Sequence, residues 1–562
     1  MRKVFVLGSV VVFILSIFLP LQAQQAPPDT GKMSWELFQL VTAGQRKRAA
    51  GEEVPELTVL LISGRPLQDQ DLQELERKGY TVLGAYGYFA LVKAPMDHFA
   101  REDVGLNTLD FVSNASLPPP QITNDLPTPF TSGTPVIRAD LLWRQGFFGD
   151  GVKIAVIDVG YDPEHPRLAG MSPQPIYYNV IPLSRVYPFP YIYREGEVAT
   201  DSPHGTSCAL IVHDVAPHAQ LYLLSYPSWT GLVGWLCALD CAVRKLGVDV
   251  VTSSVEFSLP TCHADGTGPL NEMVNRILQG TKTLFFLAAG NWAMGSGADR
   301  THYYAVFTDE DKDDHHDFTS TDDTWDRNTL VFEAKEGDQL TIVLEWDAWG
   351  SQTASCDLDL YLYDADYRVP IAYSLKPQYG KKDAAPFESI GLDPNHPLIL
   401  PYTGRYAIVV EDAAARYHGG SSVGVSFHLY LFNRSDPFPF IEHHTSCSSV
   451  REVATNPDVI AVGAFSPKDG TVRPYSSRGL TGAGLSKPEI LAPDGVTGTV
   501  YERFYGTSAA APYAAGAAAL LIQANDGSLT KEEFLAYFQA DGEDICHNSI
   551  CKLVFSQASE GG

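Results

Sequence analysis

Basic residues are few. The 562-residue chain holds 40 Lys+Arg against 67 Asp+Glu, a formal net charge of −27. Such a surface repels nucleic acid and anionic membranes, so neither is an expected partner. Cysteine is also scarce, at eight. No two Cys-x-x-Cys pairs and no His-x-x-x-His set appear, which argues against a structural zinc centre, and no metal ligand is assigned. After residue 21 no apolar run is long enough to cross a bilayer, so the mature chain is expected to have no membrane span. There is no internal sequence repeat.

The apolar fraction is 45%, enough for real cores, and the length suggests three or four units. Arg2 and Lys3 precede an almost wholly apolar stretch, Val4 to Leu21, and Leu21-Gln22-Ala23 ends in a small residue. That order predicts a signal peptide, residues 1–23, cleaved near Ala23, with a retained membrane anchor as the competing reading. The product is then secreted, extracellular or periplasmic. Disulfides suit that route. Cys546 and Cys551 are the first candidate pair and Cys262 with Cys447 the second, whereas Cys237 and Cys241 share a helical pattern with poor disulfide geometry.

Residues 24–125 carry a small α/β pattern followed by a Pro-rich linker. Strands are expected at Leu57–Ile62, across Tyr80–Lys93 and at Leu109–Val112, with helices at Asp69–Lys78 and near Met96–Glu102. The order βαββαβ is ferredoxin-like. The linker begins Ser116-Leu-Pro-Pro-Pro. From residue 126 to 300 mostly apolar runs alternate with helical segments, the signature of a parallel α/β sheet. Period-two alternation then governs 301–435, where Leu340, Ile342, Leu344 and Trp346 face one way, as do Leu358, Leu360 and Leu362. This predicts a β-sandwich of about eight strands, folding by itself and dispensable for chemistry. Asp357, Asp359 and the run Asp309–Asp314 read as solvated charge. The α/β pattern resumes over 436–562.

Three segments carry chemistry. Asp158 ends a buried strand, in Val156-Ile-Asp-Val-Gly; His204 opens a helix, in Ser202-Pro-His-Gly-Thr-Ser-Cys208; Ser508 opens another, in Tyr505-Gly-Thr-Ser-Ala-Ala-Ala-Pro512. In an open α/β sheet all three can meet at the carboxyl ends of the strands. A serine hydroxyl becomes nucleophilic when a base takes its proton, imidazole does so near neutral pH, and a buried carboxylate holds the ring in the right tautomer.

In order and spacing these segments resemble the Asp, His and Ser motifs of the subtilisin family, the subtilases. Phe285-Phe-Leu-Ala-Ala-Gly-Asn291 is similar to the family strand whose Asn helps form the oxyanion hole, and Lys487-Pro-Glu-Ile-Leu-Ala-Pro-Asp494 to the segment before the nucleophile. The resemblance implies a subtilisin-like parallel-sheet domain interrupted by a jelly-roll-like β-sandwich and preceded by a propeptide acting as intramolecular inhibitor. It also implies a secreted serine endopeptidase for protein or peptide substrates. Catalysis would fall to Asp158, His204, Ser508 and Asn291; Ser254, Val255, Glu256, Ala289 and Gly290 would line the substrate. No cofactor is required, and calcium enters only as a structural ion without assigned ligands. Glu256 departs from the family, standing where a glycine is usual and narrowing the cleft. The alternatives are a binding protein on a degenerate subtilase scaffold and a matrix- or carbohydrate-binding protein acting through the sandwich.

Overall fold

The computed structural model describes residues 35–553 apart from internal stretches, of which 102–108, 124–132, 183–190 and 434–440 are the longest. The expected signal peptide lies outside the described residues, as do Cys262 and Cys546. No helix among the described residues is long and apolar enough to cross a membrane.

Among the described residues the largest sheet has ten strands. In spatial order they are Ala540–Ile545, Asn548–Lys552, Ile490–Pro493, Ile460–Phe465, Leu284–Ala288, Val250–Ser253, Lys153–Asp158, Gln220–Ser225, Ile176–Pro182 and Tyr191–Glu195. Every pairing from Asn548–Lys552 through Ile176–Pro182 is parallel, and the two edge strands are antiparallel. Parallel strands need both faces covered, which is why Ile154-Ala-Val-Ile157 is apolar without alternation. Helices His204–Val215 and Thr507–Ala524 pack on one face, and Gly231–Asp240 and Pro269–Leu278 on the other. The helix that opens at Thr507 is nearly all alanine over its first turns, so it lies close against both the sheet and the His204 helix.

The N-terminal region forms a separate antiparallel sheet in the order Thr81–Tyr86, Phe89–Pro95, Glu56–Ser63, Val112–Ser116, with helices Trp35–Ala49 and Asp69–Arg77. Two details differ from the sequence expectation. Met96–Ala100 is a short 3-10 turn rather than an α-helix, and the last strand begins at Val112. Leu109 fills the core without joining the sheet, so its apolar character misplaced the strand.

Between the adjacent strands Leu284–Ala288 and Ile460–Phe465 the chain builds two antiparallel sheets. One contains Arg300–Val306, Ser426–Asn433, Gln339–Trp346 and Phe387–Ile390; the other contains Leu330–Ala334, Gly404–Asp412, Leu358–Asp364 and Pro370–Ser374. Leu340, Ile342, Leu344, Trp346, Leu358, Leu360 and Leu362 all lie in their common core, as the alternation demands. Asp357 and Asp359 are buried rather than solvated; Asp357 accepts the backbone N–H groups of Gln378 (3.1 Å) and Tyr379 (3.3 Å) from a loop that covers the strand. The sheets are not energetically separate from the parallel unit either. Trp292 packs against Val343, Leu392 and Tyr430, and Arg451 Nη2 reaches Glu345 at 2.6 Å.

Candidate active site

Asp158 is the last residue of Lys153–Asp158, so its side chain emerges at the carboxyl edge of the sheet. His204 begins its helix beside it, and His204 Nδ1 lies 2.7 Å from Asp158 Oδ2, both side chains fully buried. Asp158 Oδ1 accepts the N–H of Val159 at 2.8 Å. The carboxylate is therefore fixed at both oxygens, which holds the imidazole with Nδ1 toward Asp158 and Nε2 on the far side. Gly205 makes the approach possible. A Cβ there would stand 2.6 Å from the Gly160 carbonyl oxygen and 2.7 Å from Asp158 Cβ, so helix and strand could not close to this distance around any side chain.

Ser508 is the second residue of Thr507–Ala524, 0% exposed. Its Oγ donates to the Ser254 carbonyl at 3.4 Å, and its own carbonyl accepts from Ser254 Oγ at 3.1 Å. One turn below His204, Cys208 Sγ lies 3.6 Å from the Ser508 carbonyl oxygen and 4.0 Å from Asp158 Oδ2. The Phe504 ring meets the His204 ring edge-on at 5.2 Å. Residues 158 and 204, 46 positions apart, and residue 508, some 300 positions further on, are thus tied into one cluster.

Asn291 follows Leu284–Ala288. Its Oδ1 accepts the Thr507 N–H at 3.0 Å and the Thr507 hydroxyl at 3.2 Å. Only an oxygen accepts two such bonds, so the amide orientation is settled and Nδ2 remains as a donor next to the start of the Ser508 helix. Thr507 also receives the N–H of Gly290 on its hydroxyl at 3.1 Å. Asp494, named in the sequence only as part of a motif, anchors the same turn. Its Oδ2 accepts from Gly506 N–H at 3.2 Å and from the Tyr475 hydroxyl, while its other oxygen pairs with Arg473 at 2.5 Å. Burial pushes the Asp494 carboxyl up, and Arg473 and Tyr475 pull it back.

The expected substrate-lining residues divide. Val255 and Glu256 form a two-residue strand that pairs antiparallel with Ile122–Thr123, from the Pro-rich linker. Ser254 is occupied by Ser508, and the Ala289 N–H by the carbonyl of Val462 at 3.0 Å. Gly290, at φ 98°, is overlain by Glu256: a Cβ would meet Glu256 Oε1 at 2.2 Å. The Glu256 carboxylate also accepts from Trp292 Nε1 at 3.2 and 3.3 Å. It therefore lies across the strand end beside Asn291. Sequence reasoning missed Trp292 and Arg451. The only signal for Trp292 was its place directly after Asn291, and Arg451, 160 positions on, carried none.

Comparison with known proteins agrees with this geometry. Residues 441–541 match the model of the subtilase family. The subtilase resemblance is borne out. Among solved structures the chain is similar to the CspB protease of Clostridium perfringens, with a TM-score of 0.50 and 15% identity over 75% of this chain and 96% of that one. At that identity the likeness speaks for the fold: a mixed α/β architecture around a parallel sheet. No curated protein sequence matches. Together the findings support a serine protease.

Proposed function

We propose that the protein is a secreted serine endopeptidase that cleaves peptide bonds by acyl transfer. The observation that carries this reading is the buried Asp158–His204 contact of 2.7 Å, joined through Cys208 to the first turn of the Ser508 helix. Ser508 Oγ attacks the scissile carbonyl while His204 Nε2 takes its proton. Asp158 holds the ring and stabilises the imidazolium. The oxyanion is received by the Ser508 backbone N–H, at a helix N-terminus, and by Asn291 Nδ2. His204 then returns the proton to the leaving amine.

Substrate binds as an added antiparallel strand along Val255–Glu256. In the full-length chain Ile122–Thr123 already lies there, and Asp158, His204 and Ser508 are all shielded from solvent. This supports residues 24–125 as a removable inhibitory prosegment whose tail imitates substrate. Calcium, if used, has no ligand assigned in this site. The two antiparallel sheets read as an insertion into the catalytic unit, at about 301–435, that buttresses the site rather than recognising carbohydrate.

A fluorophosphonate probe tests the proposal. The processed protein should become labelled at Ser508, and Ser508→Ala should remove both labelling and about 10⁶-fold in kcat. A processed, folded protein that is neither labelled nor able to cleave peptides would instead support a binding protein on a degenerate scaffold.

A further inference from the structure

The segment Asp309-Glu-Asp-Lys-Asp-Asp-His-His-Asp317 joins the strand Arg300–Val306 to the short helix Thr324–Arg327. Its aspartates stand at the first, third, fifth, sixth and ninth positions, and the first, third, fifth and ninth match the spacing with which an acidic loop wraps a calcium ion. In the fold the loop does wrap. Carboxylate oxygens of Asp309, Asp311 and Asp317 all lie within 4.8 Å of one another. Six acidic side chains in nine residues face Lys312 within the loop and Arg327 and Arg416 beside it.

Acidity alone would signify little on so acidic a protein. Two buried oxygens nearby add an independent observation. Asn328 is 6% exposed, and its Oδ1 has no hydrogen-bond donor, while Nδ2 of the same amide donates to Asp313 Oδ2 at 2.5 Å. The amide is thus held against the loop by Asp313, which leaves its oxygen without a donor. Asp317 Oδ1 is buried and accepts no hydrogen bond; Arg327 Nε stands 3.8 Å away and donates instead to the Thr321 carbonyl at 2.8 Å. A buried acceptor without a donor costs roughly 1–3 kcal/mol, and two at one acidic loop are satisfied together by a cation.

We propose that residues 309–317, with Asn328, bind a calcium-sized divalent cation. The donors are all oxygen, which selects a hard ion over zinc or copper. Asp309, Asp311 and Asp317 supply the charge, and the Asn328 carbonyl oxygen supplies a neutral ligand. The ion fastens the loop to the strand Gly404–Asp412, where His316 N–H donates to the Val410 carbonyl at 2.9 Å and Asp412 N–H to that of Asp314 at 2.7 Å. This site belongs to the antiparallel sheets and is independent of the proposed protease chemistry.

The test uses chelator-treated full-length Ser508→Ala protein, titrated calorimetrically with calcium chloride and separately with magnesium chloride. Saturable calcium uptake is expected, stronger than for magnesium, with a higher melting temperature in calcium. Asp311 is partly exposed and its 3.3 Å contact with Arg327 Nη1 can be kept as a hydrogen bond by an asparagine oxygen, so Asp311→Asn should fold normally and bind about tenfold or more weakly, since affinity follows the number of charged ligands. Asp309→Asn should remove one equivalent of calcium. Absence of calcium uptake by the parent, or unchanged stoichiometry and affinity in Asp311→Asn, would overturn the proposal.

Discussion

Replacing Arg451 by methionine removes the one cation that holds three carboxylates and two aromatic rings at the junction between the parallel sheet and the antiparallel sheets. The guanidinium is almost wholly buried, pairs with Glu345 at 2.6 Å, and lies 3.9 Å above the Tyr430 ring centroid and 5.1 Å from that of Trp292. Burial opposes its charge, but Glu345, Tyr430, Glu452 and Glu256 together hold it on. Breaking a buried pair by removing one partner costs about 3–5 kcal/mol. Loss of the two ring contacts adds about 1–2 kcal/mol, and the methionine side chain returns roughly 1–2 kcal/mol of apolar burial. A net loss of about 4 kcal/mol follows at alkaline pH. The loss should itself depend on pH. Burial pushes the Glu452 carboxyl up to about 8, Arg451 pulls it down and Glu256 adds to the rise. Without Arg451 the carboxyl is harder still to ionise in the folded state. A carboxyl whose folded pKa exceeds its unfolded one binds more protons when folded, so stability falls as pH rises from the unfolded value through the folded one. Both folded forms keep the Glu452 proton up to about pH 8, and above that only the wild type ionises, so the destabilisation should be smaller near pH 6 and full near pH 9. Urea unfolding followed by tryptophan fluorescence, in a Ser508→Ala background to prevent autolysis, measures it at both pH values. A loss under 1 kcal/mol at pH 9, or an equal loss at both, would refute the reasoning. Because Trp292 directly follows Asn291, the same substitution in the active protein should lower kcat by about tenfold, a barrier change of about 1.4 kcal/mol.

Asn291→Ala should lower kcat by about 10²–10³ with little change in KM, as measured on a short peptide substrate, because a donor aimed at the oxyanion acts only once charge develops. Loss of affinity with turnover retained would assign Asn291 another part. Gly205→Ala forces a methyl group into the Gly160 carbonyl and Asp158; it should cost about 1–3 kcal/mol in thermal unfolding and most of the activity, and a fully active, equally stable variant would show that the helix yields there. For the prosegment, mass spectrometry of the secreted protein should find a new N-terminus between residues 114 and 134, whereas Ser508→Ala expressed in a protease-deficient host should stay uncut. Cutting of that variant would mean another enzyme does the processing.

Much of the proposed site could be read in the sequence because each motif couples chemistry to local geometry. Asp158 closes an apolar run that only a strand covered on both faces explains, and His204 and Ser508 sit where small neighbours let two helices approach the sheet. The strands of the antiparallel sheets were legible for a similar reason, since alternate leucines must share one face. What escaped was decided by contacts between distant segments. Asp357 and Asp359 look solvated on an alternating strand, and only the fold shows that both are buried, Asp357 under the loop at Gln378–Tyr379.

The expectation of independent folding rests on alternation, which shows that the antiparallel sheets can bury one face against the other. The opposite face of one sheet, however, presents Val343 and Tyr430 to Trp292, and Glu345 to Arg451. Periodicity reports which residues point the same way, never what they point at. Residues such as Glu345 read as ordinary outward-facing charge until their partner, 106 positions later in sequence, is seen beside them. Replacing 301–435 by a short linker would leave Arg451 with the carboxylates of Glu452 and Glu256 but without Glu345, and would expose Trp292 beside Asn291. The insertion therefore packs against the residue next to the proposed oxyanion donor, although none of its own side chains belongs to the proposed chemistry.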